Sequence, residues 1–233
     1  MPKQSLPLPL SLAWQVYVSS WKLLKPNFFM ALFFVLIMVF TTLLLNLIRY
    51  VGASVDGVVT VLLVSGFLFS CNKWSHQKRV ELEDLFVAFF DHSVFRRVLP
   101  LGLMVGVSNF LSTQVLSALP WTFALIPQIA LQLADLVVIL SIGAVLFEGA
   151  EVLSAVKRVG VILVYNAKLT CASIALMIGL TLLSVGTFGL GLIVYLPVLM
   201  GSLYFWYQAM LQEADLTGQS HSPGIQHSQD CAY

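Results

Sequence analysis

Apolar residues run through this chain in blocks too long for a soluble domain, and the polar residues gather between them. Phe28–Ile48 carries no charged side chain over 21 residues, and Val51–Cys71 follows it after Arg49 and Tyr50, with its core at Gly57–Cys71. Further blocks cover Val98–Leu119, Trp121–Phe147, Leu169–Val185 and Leu190–Leu211. About 20 apolar residues of helix are needed to cross the hydrocarbon layer of a bilayer, so the pattern predicts six crossings. Short turns join them in pairs: residues 49–50, Pro120–Trp121 and the GTFG of 186–189. The pairs predict three hairpins.

Between the blocks the period changes. Leu10, Trp14, Tyr17, Trp21 and Leu24 recur at helical spacing, with Gln15, Ser19, Lys22 and Lys25 away from them, and Ser11 is placed to cap the helix. Pro26 interrupts this pattern because it lacks a backbone N–H and clashes with the preceding turn. Leu82, Leu85, Phe86 and Phe89 share a second apolar face, flanked by Glu81, Glu83, Asp84, Asp91 and basic residues. Val152, Val156, Val159 and Leu163 form a third, opposite Glu151, Ser154, Lys157 and Arg158. Such helices lie in a membrane interface. The predicted fold is an all-α membrane protein: six transmembrane helices as three hairpins, each preceded by an amphipathic interfacial helix. Residues 1–212 form a single membrane domain with candidate repeats at 8–75, 78–147 and 148–212. Residues 213–233, poor in apolar residues and without period, predict a disordered cytoplasmic tail.

Composition agrees. The chain is 59% hydrophobic and 10% charged, with a mean hydropathy of +0.92, whereas soluble domains are about 25% charged. A net charge of +1 leaves no basic face for nucleic acid. Three cysteines, two of them inside apolar blocks, do not make a disulfide framework. His221, His227 and Cys231 match no zinc spacing. No Gly-rich phosphate loop, His-Glu-x-x-His or Gly-x-Ser-x-Gly motif occurs. The sequence thus predicts no catalytic residues, no metal and no cofactor.

Lysine and arginine set the orientation. Eleven of the twelve fall on the loops of one side, and only Arg49 falls on the other. Positive loops remain cytoplasmic, so both termini are predicted in the cytoplasm, with the cell's inner (cytoplasmic) membrane as the location. The same asymmetry places Trp14, Trp21, Lys157 and Arg158 where they meet anionic headgroups. Membrane lipids are the expected partners, with other membrane proteins or a second copy of the chain as further partners.

Asp135 is the one acid deep in a predicted crossing, and Gln128, Gln132 and Asp135 share a helix face at spacings of four and three. Carboxylates at membrane depth are costly and mark ion or proton paths. Three readings stay open: a polar path for a small transporter or channel, a carboxylate at the outer interface, or a structural pair with Arg49. Ser108, Asn109, Ser112, Thr113 and Gln114 read as hydrogen-bonding groups between helices.

Two stretches carry a family resemblance: EVLSAVKRVGVILVYN at Glu151–Asn166, and the Gly-rich entry GLGLIVYLP at Gly189–Pro197 with the apolar run after it. They resemble the membrane-embedded domain of glycerophosphoryl diester phosphodiesterases and the uncharacterised multi-pass inner-membrane proteins related to it. Gly160 stands where that pattern commonly has Ser. The resemblance implies the helix and hairpin layout and no established activity. Nothing in the chain resembles the phosphodiesterase catalytic domain.

Overall fold

The computed structural model describes residues 9–48, 52–115, 120–186 and 190–216, and every regular element among them is helical. Helix α1 (Pro9–Leu24) passes through a 3-10 turn at Lys25–Asn27 into α2 (Phe28–Asn46). Pro26 falls in that turn, so the interruption predicted there is a tightening of the helix rather than a gap. Then follow α3 (Gly52–Ser75), a 3-10 turn at Leu82–Phe86, the single-turn α4 (Val87–Phe90), and α5 (His92–Phe110), which closes in a π turn at Leu111–Val115. The remaining elements are α6 (Trp121–Phe147), α7 (Val152–Tyr165), α8 (Ala167–Gly186) and α9 (Leu190–Leu216).

Among the described residues four stretches are long and apolar enough to cross a membrane: Ser11–Asn46, Gly52–Ser75, His92–Gln114 and Ile126–Phe147. A fifth is added if α7 and α8, which meet at 89°, act as one broken span. The chain is therefore a helical membrane-embedded protein.

Helix α3 is the central element. Its residues Val61–Leu68 are all buried, the mark of a helix covered on every side. It packs on α2, α5, α6 and α9. The approach to α5 is closest where Gly57 meets Gly106, because a Cβ on Gly57 would stand 2.8 Å from the Gly106 backbone. Gly102 lies similarly against Val58. Gly102 and Gly106 form a GxxxG pair, the spacing that lets two helices in lipid touch backbone to backbone. At the other end of α3, Phe34 stacks on Trp74 and Phe67 meets both edge-on.

The short segments are seated on long helices rather than lying free. The turn at Leu82–Phe86 rests on α3, α7 rests on α6, and α1 rests on α8 and α9. In α1 the inward face is Ala13, Val16, Tyr17, Ser20 and Leu24, while Trp14 and Trp21 point outward at 49% and 38% exposure. The apolar pattern had placed both tryptophans on one face with Tyr17 and Leu24. The bundle instead selects the smaller side chains, and the Ser20 hydroxyl donates to Val198 O at 2.8 Å.

Three boundaries differ from the pattern. The amphipathic helix expected around residues 82–89 is a 3-10 turn plus one α turn, and Asp84 within it is buried rather than part of an exposed acidic flank. Helix α5 begins at His92 and runs through Pro100. Asp91 explains the early start, since its side chain caps the helix by accepting from Ser93 N and Val94 N. Helix α9 continues to Leu216, so residues 213–216 of the predicted tail are helical. Arg49, residues 116–119 and 187–189, and residues 217–233 lie outside the described residues.

Candidate functional site

Two features on either side of α6 could carry function, and both rest on how α5 and α7 meet it. The first is a polar strip between α5 and α6. The π turn at Leu111–Val115 adds a residue to the local helical turn, a device that re-aims side chains and is frequent at functional sites. Here Ser112 Oγ donates to Gln128 Oε1 at 2.8 Å. About two turns along α6 from Gln128, Asp135 is 9% exposed. The Ser108 hydroxyl is buried beside its carboxyl. Among the described residues no lysine, arginine or histidine forms an ion pair with Asp135; the two ion pairs present are Lys73–Asp84 and Arg158–Glu148. Gln132 is exposed, so the structure turns Gln128 and Asp135 toward the bundle and leaves Gln132 outside it. The pair with Arg49 falls outside the described residues. Asp56 forms a separate small cluster, accepting from Asn46 Nδ2 at 3.5 Å and Thr60 Oγ1 at 3.3 Å.

The second feature is an apolar groove between α5, α6 and α7. Helix α7 packs on α6. At its middle Arg158 Nη1 meets Glu148 Oε2 at 2.6 Å, and Val159 and Leu163 pack with Leu140, against Leu136 and Val137. Tyr207 of α9 donates to the other Glu148 oxygen, so Glu148 ties α6, α7 and α9 together. Arg158 is thereby engaged within the protein, whereas the neighbouring Lys157 is exposed and makes no ion pair among the described residues. Beside Lys157 opens a groove of about 540 Å³, walled by Met104 of α5, Ala134 and Val137 of α6, and Val161 and Tyr165 of α7. Gly160 forms part of its floor: a Cβ placed there would meet only Val137 Cγ1, at 3.9 Å. Two other open clefts are lined by described residues, one by Glu83, Asp84 and Asp91, the other by Val58, Leu103 and Phe110. Asp135 lines none of the three.

Of the residues singled out from sequence, Trp14 and Trp21 remain together on the outside of α1, Lys157 and Arg158 part company, and Gln128 and Asp135 share the α5–α6 contact. Sequence reasoning missed Gly160 as a groove floor, Glu148 as a tie between three helices, and the Gly102–Gly106 contact. The last had a legible signal in the spacing of two glycines inside an apolar block.

Comparison with protein-family models, curated proteins and solved structures finds no match.

Proposed function

We propose that this chain is a non-enzymatic integral protein of the inner (cytoplasmic) membrane that acts through contacts with lipids, in a membrane-homeostasis role. In this reading α2, α3, α5, α6, α8 and α9 are six crossings in three hairpins, with both termini cytoplasmic. The segments α1, Leu82–Phe90 and α7 sit at the cytoplasmic leaflet, amphipathic and partly sunk into it. The observation that carries the reading is the outward pair Trp14 and Trp21 on a helix that also bears Lys22, with Lys25 in the turn that follows. Tryptophan prefers the headgroup level, where its ring is half apolar and its N–H stays hydrated, and lysine there meets anionic lipid. Kinship with the membrane domain of glycerophosphoryl diester phosphodiesterases is part of the proposal, on the strength of α7 and the entry to α9. Its catalytic chemistry is not.

The test is depth-dependent quenching of tryptophan fluorescence in lipid vesicles. Quenchers at the headgroup should act more strongly than quenchers at the chain ends, and replacing Trp14 and Trp21 by Phe should remove most of that shallow component. An unchanged depth profile in the double variant would refute the placement.

A second reading, a small transporter or channel with a polar path at Asp135, is favoured by one observation: Asp135 and the Ser108 hydroxyl are buried side by side. It expects Asp135→Asn to abolish proton or cation flux in proteoliposomes while expression and melting are preserved. A variant with unaltered flux assigns Asp135 to packing.

A further inference from the structure

We propose that the groove between α5, α6 and α7 is a binding site for one anionic phospholipid, its acyl chain lying along Gly160 and its phosphate on Lys157. The proposal rests on the lipid-contact reading above and deepens it. Three features select the occupant. The groove opens on a chain whose long helices are built for a bilayer, and its walls, from Met104 and Ala134 to Val161, are apolar. Acyl chain is the medium that such a surface meets. The groove extends from Lys157 to Tyr165, about 12 Å along α7 at 1.5 Å per residue, so it takes most of an acyl chain that spans about 15 Å of one leaflet. Its single charged lining residue is Lys157, at the end nearer the start of α7. Arg158, which would otherwise compete for the phosphate, is held by Glu148. An ammonium group with no ion pair at the mouth of an apolar groove is complementary to a phosphate joined to an acyl chain. A neutral helix from another protein would leave that charge unanswered.

Gly160 makes the test clean. Because a Cβ there meets only Val137 at ordinary contact distance, a side chain at 160 starts into the groove without a clash, and leucine is the better helix former, so Gly160→Leu is the first filling variant. Ala134→Phe fills it from the opposite wall, where Ala134 is exposed. The protein is purified in mild detergent, retained phospholipid is counted by native mass spectrometry, and melting is followed with added phosphatidylglycerol or phosphatidylcholine. Wild type should retain phosphatidylglycerol and melt higher in its presence. Either filling variant should lose retained lipid by at least about tenfold with its helix content intact. Lys157→Gln should keep binding lipid and lose the preference for phosphatidylglycerol over phosphatidylcholine. Filled variants that bind as wild type does overturn the groove and leave the lipid-contact reading standing. Wild type that gains nothing from phosphatidylglycerol overturns both. A filled variant that dissociates a dimer while its lipid content stays constant reassigns the groove to a second copy of this chain.

Discussion

Lys73 Nζ reaches Asp84 Oδ1 at 2.6 Å while Asp84 Oδ2 accepts from Glu81 N at 2.8 Å. One carboxylate thus serves an ion pair to α3 and a capping box for the Leu82–Phe86 turn. In sequence it is one acid among several; in the fold it is the peg that holds the loop to α3. Asp91 does related work for α5. Its hydrogen bonds from the Ser93 hydroxyl and backbone, and from Val94 N, hold its carboxyl below the usual carboxylate range. A carboxyl whose pKa is depressed on folding stabilises the fold above its unfolded value, about 3.9, and that contribution fades as pH falls through the lower, folded value. Replacing Asp91 by Ala should cost about 1 kcal/mol, the usual worth of an N-cap. Melting in detergent should show the gap between wild type and Asp91→Ala near neutral pH and a narrower gap in acid. Asp91→Asn, a cap without a charge, should remove the pH dependence and keep most of the stability. A gap that stays constant with pH would refute the charge contribution.

Elements meet through glycines, and the glycines differ in what they tolerate. A Cβ on Gly66 would stand 1.9 Å from Leu85 O, whereas nothing lies within 4 Å of a Cβ on Gly179. Alanine is the better helix former by about 1 kcal/mol, so Gly179→Ala should raise the melting temperature slightly. Gly66→Ala should lower it, because about 1–3 kcal/mol of overpacking outweighs the propensity gain. Equal shifts from the two variants would mean that the turn at Leu82–Phe86 does not rest on Gly66.

The same distinction accounts for what the chain's pattern could and could not reveal. Helix existence followed from apolar length, and Phe28, Trp121, Phe147 and Leu190 end blocks in both pattern and fold, whereas the ends predicted at Cys71, Val98 and Leu211 moved to Ser75, His92 and Leu216. Which face of α1 turns inward did not follow. Trp14 and Tyr17 have similar apolar weight, and only the shape of α8 and α9 decides between them. The Arg158–Glu148 tie joins residues ten apart on different elements, and the turn between α6 and α7 that brings them together has no hydrophobic period to read. Gly149 in that turn adopts φ 65, a conformation that glycine alone takes without strain. Asp135 was legible as an acid in an apolar block, but its burial against α5 depends on helix pairing.

Across the whole molecule the short segments follow one rule. The Leu82–Phe86 turn sits on α3, α7 on α6, and α1 on α9. Each of these long helices carries a glycine, Gly66, Gly143 or Gly201, whose absent side chain is filled by a neighbour: Leu85, Tyr207, or Ser20 with Leu24. Leu85, Ser20 and Leu24 come from the seated segments themselves, whereas Tyr207 comes from α9. The orientation proposed from lysine and arginine has its own check. A C-terminal reporter that is active only in the cytoplasm should give signal, one active only outside should give none, and the opposite result would invert the topology.

The seating of α1 on α9 sets a timetable for synthesis. Ser20 and its acceptor Val198 are 178 residues apart, and ribosomes add about 5–20 residues per second, so α1 precedes its partner by about 10–35 s. For that interval Ala13, Val16, Tyr17 and Leu24 have no α9 to bury them. Until α9 arrives, this face must be sheltered by lipid or by whatever machinery inserts the chain. The contact that completes the bundle is therefore also the latest to form, and a chain interrupted before α9 leaves its first helix without the partner that buries Ser20.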